Sequence, residues 1–295
     1  MKNVNKVYIS LIIVIMSLIS IIGIYAGMVW TGQKPIPDFV IGWMIEQERS
    51  KNGELPLSMT DSLFLDEFTY TVANDMLKKM AEDECKYENY VFNDVGTAHK
   101  VYLALGYEIL NGRNSKILCW HTDGGYMLGW ERGNEVVAQH QAASEYVNMI
   151  WSQIEGTVNG LGSEKEKADF IADYILSNVV KEYDMSLANA TIYDTYVSGT
   201  GSGICNVFAT LFDRLCEKAG IECYVIVGHS QQIAHTWNKV VFADGSIHHY
   251  DLTYCVTSKD MGYKDMSAYY YFTGNYVPVT FNSEEGYNFG CYKLQ

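Results

Sequence analysis

The chain has no Lys/Arg run longer than two residues, and its 21 basic residues are outnumbered by 35 acidic ones, a formal net charge of −14. Proteins that hold phosphate backbones need a basic footprint, so no nucleic-acid partner is expected. There is no C-x-x-C pair among Cys85, Cys119, Cys205, Cys216, Cys223, Cys255 and Cys291. A zinc ribbon or a thioredoxin-type site is therefore not expected. His229, His248 and His249 lie near one another, but no set of three ligands at metal-site spacing accompanies them. They read as surface histidines, and neither a metal nor any other cofactor is expected. Internal repeats and low-complexity segments are absent as well.

What is there is a chain of 295 residues, 48% apolar, enough for one large domain or two small ones with a sizeable core. Lys2 and Lys6 precede an uncharged run from Val7 to Trp30. As a helix that run reaches roughly 36 Å, enough to cross a bilayer. No A-x-A triplet closes it, so an uncleaved signal-anchor over 1–30 is the preferred reading, with cleavage near Ala26 and secretion as the alternative. The lysines on the short side place the body of a single-pass protein outside the cell. Disulfides are possible there. With seven cysteines, at least one thiol is unpaired within the chain, and Cys205 is our candidate. Cys216 and Cys223 read as core thiols rather than a disulfide.

Residues 31–150 form an accessory helical region with one hairpin. It opens with a linker and a short helix over 31–58. From Asp61 to about Glu82, Leu65, Phe68, Val72, Met76 and Met80 recur at helical spacing. Residues 94–110 read as a second helix. "KILCWHTDGGYMLGW" reads as a β-hairpin turning at Asp123-Gly124-Gly125. A helix over 141–159 has Val147, Ile150, Trp151 and Ile154 on one face. In the remaining segment, 151–295, Ser163 and Glu166 have the spacing of a capping box, ahead of a face made by Phe170, Ile171, Tyr174, Ile175 and Val179. A helix from about Cys205 to Lys218 stops at Gly220. "ECYVIVGH", "HTWNKVVF", "SIHHYDLTY" and "AYYYFTG" follow as strands. Helices followed by an antiparallel sheet make an α+β order.

In "GSGICNVFATLF" a cysteine sits where a glycine-rich loop turns into a helix. It is either a small buried thiol or a nucleophile, because the helix N-terminus favours a thiolate and its N–H groups can hold an oxyanion. A nucleophilic thiol needs a base, and the base needs a carboxylate to orient it. Cys205, His235 and Asp251 offer those residue types in chain order.

The sequence around them, "GSGICNVFATLFDRLCEKAGIEC" and "VGHSQQIAHTWNKVVFADGSIHHYDLTY", resembles the transglutaminase-like superfamily of papain-related cysteine enzymes. The resemblance runs from Ser163 to about Phe272. It implies a transglutaminase-like (papain-like) domain in which the nucleophile-bearing helix packs on an antiparallel sheet. It implies that Cys205 is the nucleophile, His235 the base and Asp251 the carboxylate. Trp237, Asn238 and Thr253 match motif neighbours, and Tyr183 is an oxyanion candidate or else a packed tyrosine. Val207 stands where many relatives have glycine, and Ile247-His248 replaces a frequent aromatic pair. The implied function is a membrane-anchored extracellular thiol enzyme acting on amide or ester carbonyls through a thioester, as peptidase, amidase or acyltransferase. Its partners would be extracellular protein or cell-wall peptides and, through the N-terminal helix, the membrane. The rival reading is a catalytically silent module used for binding in the cell envelope.

Register tests the triad. A two-residue turn at Asp244-Gly245 puts His235 and Asp251 on opposite faces of the sheet. A three-residue loop, Ala243-Asp244-Gly245, pairs Phe242 with Ser246 and His235 with Thr253, leaving Asp251 as a diagonal neighbour. The second arrangement is expected, with Gly245 at positive φ and Trp237 on the His235 face.

Overall fold

The computed structural model describes residues 67–82, 90–93, 95–112, 117–122, 125–187, 191–230, 233–259, 264–266, 276–278 and 292–293. The chain divides into Met1–Leu55 and Pro56–Gln295, and every described residue lies in the second unit. The proposed anchor, the linker, Cys85, Cys291 and "AYYYFTG" lie outside the described residues. Among the described residues, no helix is long and apolar enough to cross a membrane.

Helix α1 (Glu67–Ala81) buries Thr69, Ala73, Met76 and Met80, one stripe at three- and four-residue steps. Phe68, read from the sequence as part of that stripe, points outward at 56% exposure. The stripe keeps Met76 and Met80, with Val72 packed at its edge, and starts from Thr69 rather than Phe68. A short strand β1 (Val91–Phe92) leads into α2 (Val95–Leu103), which widens into a π-turn over Ala104–Ile109. The hairpin is β2 (Ile117–Thr122) against β3 (Gly125–Trp130), with Thr122 opposite Gly125. Helix α3 (Gly133–Asn159) starts eight residues earlier than the expected 141, and it crosses the boundary drawn between 150 and 151. Val136, Ala143, Val147, Ile150, Ile154 and Val158 give it a buried face along its whole length, whereas Trp151 is only half-buried.

Helix α4 (Glu164–Tyr174) starts with the expected capping box: Glu166 N–H donates to Ser163 Oγ at 3.2 Å, and Ser163 N–H donates to Glu166 Oε2 at 3.0 Å. It continues as a π-turn over Ile175–Val179. Helix α5 (Cys205–Lys218) buries every residue from Cys205 to Asp213, so it is a core helix with no solvent face over that length. It closes at Gly220, whose φ of +71° only glycine adopts freely, and Ile221 N–H bonds back to Cys216 O.

Strands β4 (Glu222–Ser230), β5 (Ile233–Val241) and β6 (Ile247–Tyr250) follow. With β7 (Tyr276–Pro278) they form an antiparallel sheet in the order β6-β5-β4-β7. The other sheet is β1-β3-β2-β8, in which β8 (Tyr292–Lys293) runs parallel to β2. One apolar cluster joins α1, α2 and the first sheet, and it reaches Ala209, Val225 and Val227. The other joins α3, α4 and α5 to Val240, Phe242, Tyr250 and Leu252.

The β5–β6 loop has the expected form. Phe242 N–H donates to Ser246 O at 2.9 Å, Gly245 N–H donates to Phe242 O at 2.8 Å, and Gly245 has φ +82°. Val241 pairs with Ile247, Val240 with His248, Lys239 with His249 and Asn238 with Tyr250. The ladder then ends, which corrects the reading of "SIHHYDLTY" as one strand. Asp251 is the N-cap of helix α6 (Leu252–Ser258), with its Oδ1 accepting from Tyr254 N–H at 3.2 Å. Thr253 therefore lies in a helix and not opposite His235.

Candidate active site

Cys205 is the first residue of α5, and the preceding Ile204 is extended and offers no side-chain cap. The glycine loop before it is pinned to residues 181–184: Lys181 N–H bonds Gly201 O, Gly203 N–H bonds Glu182 O and Asp184 N–H bonds Gly203 O, at 3.1, 3.1 and 2.8 Å. Gly199 is required by close approach, because a Cβ there would collide with the carbonyl oxygen of Asp194. This pairing sets Tyr183 alongside Gly203, next to the thiol.

His235 lies on β5 just beyond the last β6 pair, where β6 has no residue opposite it. Asp251 enters at that edge. Its Oδ2 and His235 Nε2 are 2.7 Å apart, with side-chain exposures of 2% and 12%. The Nε2 atom is thus committed to the carboxylate, and the Cys205 sulfur is a neighbour that acts on the charge of the ring. Burial pulls the His235 pKa down, but the Asp251 charge and hydrogen bond, with the Cys205 sulfur beside them, raise it to about 10. The imidazole is therefore built to hold a proton. Burial raises the Tyr183 pKa, and the Cys205 and Asp251 charges add to it, so its hydroxyl keeps its proton and can donate.

All three sequence-derived site residues, Cys205, His235 and Asp251, come together. Trp237 shares the His235 face as expected, with ring centroids 6.0 Å apart and planes inclined by 17°. Asn238 points the other way, and its Nδ2 donates to Ala209 O of α5 at 2.9 Å. His249 corrects the surface reading of the histidines: it is 2% exposed and accepts at Nδ1 from Trp237 Nε1–H at 3.1 Å. The signal was its place two residues before Asp251, which puts it on the Trp237 face once the loop length is known. His248 Nδ1 lies 2.7 Å from Asp265 Oδ2, and the His229 side chain is outside what is described. Among the described residues no group of three or more His, Cys, Asp or Glu side chains could hold a metal ion. Cys119, Cys205, Cys216, Cys223 and Cys255 are not in disulfides.

The sequence model of the transglutaminase-like superfamily matches residues 152–252, which contain α4, α5, the β4–β6 strands and all three site residues. The chain thus carries a transglutaminase-like domain over these residues. No curated protein matches the chain. Among solved structures, a candidate cysteine protease from Cytophaga hutchinsonii is 18% identical, covering 46% of this chain and 41% of its own, with a TM-score of 0.33. A TGase is 18% identical over 70% of this chain and 57% of its own, with a TM-score of 0.31. A candidate protease from Parabacteroides distasonis is 17% identical over 45% and 35%, with a TM-score of 0.26. This chain thus spans well under two thirds of each of those chains.

Proposed function

We propose that the protein is a cysteine hydrolase or acyltransferase that opens an amide or ester carbonyl with Cys205. The observation that carries this is the buried 2.7 Å His235–Asp251 contact beside the Cys205 thiol at the start of α5. Sγ adds to the carbonyl carbon, and the oxyanion is met by N–H groups of the first turn of α5 and by the Tyr183 hydroxyl. His235 then delivers its proton to the leaving amine or alcohol as the carbon–heteroatom bond breaks, giving a thioester. Water or an amine attacks the thioester, His235 takes the attacker's proton, and Sγ leaves. Asp251 fixes the ring and stabilises its charged form.

The substrate class we propose is extracellular protein or cell-wall peptide, reached by an enzyme held at the outer face of the membrane through residues 7–30. The uncharged run behind Lys2 and Lys6 supports this topology. Membrane retention through an alkaline carbonate wash tests it, and a soluble product starting near Gly27 overturns it. The chemistry is tested by iodoacetamide: Cys205 should alkylate far faster than the other thiols near neutral pH. An inert Cys205 would favour a binding module instead. Labelling of the parent cell surface with amine and glutamine-peptide probes separates transfer from hydrolysis.

A further inference from the structure

A histidine ring is fixed by what lies against its face as well as by what bonds its nitrogens. Its χ2 is a broad torsion, so a flat neighbour narrows the orientations open to the His235 ring beside Asp251. Trp237 is that surface, in near-parallel contact. The indole χ2 is equally soft, so its own plane needs a fixing point at the rim. His249 supplies it, as a diagonal neighbour across the β5–β6 ladder, where it pairs directly with Lys239. Trp237 and His249 are 1% and 2% exposed, so the bond has little competition from water.

We propose that His249 is a positioning residue for the thiol site: its Nδ1 anchors the Trp237 indole, and the indole holds the His235 imidazole in the plane that serves both Asp251 and Cys205. The inference rests on the thiol-enzyme reading above and adds a residue to it. Indole Nε1–H is only a donor, so Nδ1 of His249 must carry no proton. The surroundings keep it so: burial first, then the Lys239 and His248 charges, lower its pKa to about 3 against the opposing pull of Asp265. The acceptor therefore survives throughout the range in which His235, flanked by Asp251, Cys205 and Tyr183, changes charge.

The test uses the full-length chain and follows alkylation of Cys205 by iodoacetamide from pH 4 to 9, read by peptide mass spectrometry. A thiol paired with an imidazolium reacts on the acid side of an ordinary thiol's range. His249→Asn places an oxygen where Nδ1 was and should keep the acid-side rate within about threefold, whereas His249→Leu should lower it on the order of tenfold, at the low end of a general base's contribution. Trp237→Phe keeps a ring and loses the donor. It should show the same loss, and adding His249→Leu to it should cost nothing more. If His249→Leu melts early, Trp237→Phe alone carries the comparison. A His249→Leu or Trp237→Phe chain with the wild-type profile overturns this inference alone. A wild-type chain without acid-side reactivity overturns the thiol-enzyme reading, and this inference with it.

Discussion

The two ends of α5 are held in opposite ways. At its start, Cys205 follows an uncapped Ile204 and a glycine loop, and the charged groups beside it belong to strands and caps distant in sequence. At its far end, Arg214 is fully engaged. Nε donates to Asn111 Oδ1 at 2.9 Å, Nη2 to Tyr107 O at 2.6 Å and Nη1 to Asp213 Oδ2 at 3.0 Å. Asn111 sits at φ +60° at the end of the π-turn after α2, and its Nδ2 reaches His140 Nδ1 and Ser144 Oγ on α3 at 2.9 and 3.0 Å. Reactive groups gather at one end, while the other end is a cross-brace. Tyr107 and Asn111 lie outside the matched segment 152–252, so the preceding region helps to hold α5.

The contrast breaks most completely at the start of the helix. Cys205→Ala should abolish turnover while melting within about 3 °C of wild type, the shift expected of ~1 kcal/mol in a domain of this size. Turnover in that variant would remove Cys205 from the chemistry. Asp251→Asn should lower kcat by two or more decades, through lost ring orientation and imidazolium stabilisation. A near-normal rate would dismiss Asp251.

At the far end the expected pattern inverts. Arg214→Ala strands the buried Asp213 without its cation and should cost about 3–5 kcal/mol. The rate per folded molecule should stay near wild type. Calorimetry with active-site titration checks this, and a stable but inactive variant would merge the two ends into one functional unit. Gly245→Val lies away from both ends. It strains a φ of +82° and should cost about 1–3 kcal/mol while slowing Cys205 alkylation through the β5–β6 register. Unchanged alkylation would uncouple that loop from the site.

The smallest effect is a pH trend. The His235 pKa is raised from 6.5 to about 10 in the fold. Its stabilising contribution is fully present below about pH 6.5 and is lost as pH rises through about 10. Asp251→Asn should therefore lower Tm more at pH 6 than at pH 10. An equal loss at both would mean that the contact does not hold the proton on His235.

Local chemistry explains what was legible in the sequence. Ser163 with Glu166, Gly220 behind α5, and Gly245 in a three-residue loop each act within a few residues, and the structure shows each doing what its spacing required. The same arithmetic joined His235 to Asp251. Residues 251–254 misled because Thr253 and Tyr254 suit a strand. Asp251 before Leu252, Cys255 and Val256 was the competing signal of a capped helix, and the cap won. The burial of His249, the outward Phe68 and the brace around Asn111 depend on partners brought together by tertiary packing. No window of sequence contains those partners.

The closed burial of α5 from Cys205 to Asp213 has a consequence for heat and time. A nucleophile on a fraying loop would be lost before the rest of the protein melts. Cys205 sits on a buried helix, so inactivation by warming should coincide with global melting, and the amides beyond the first turn of this helix should be among the last to exchange with deuterium. Orientation of the sulfur is then settled once, during folding, and not anew with each substrate.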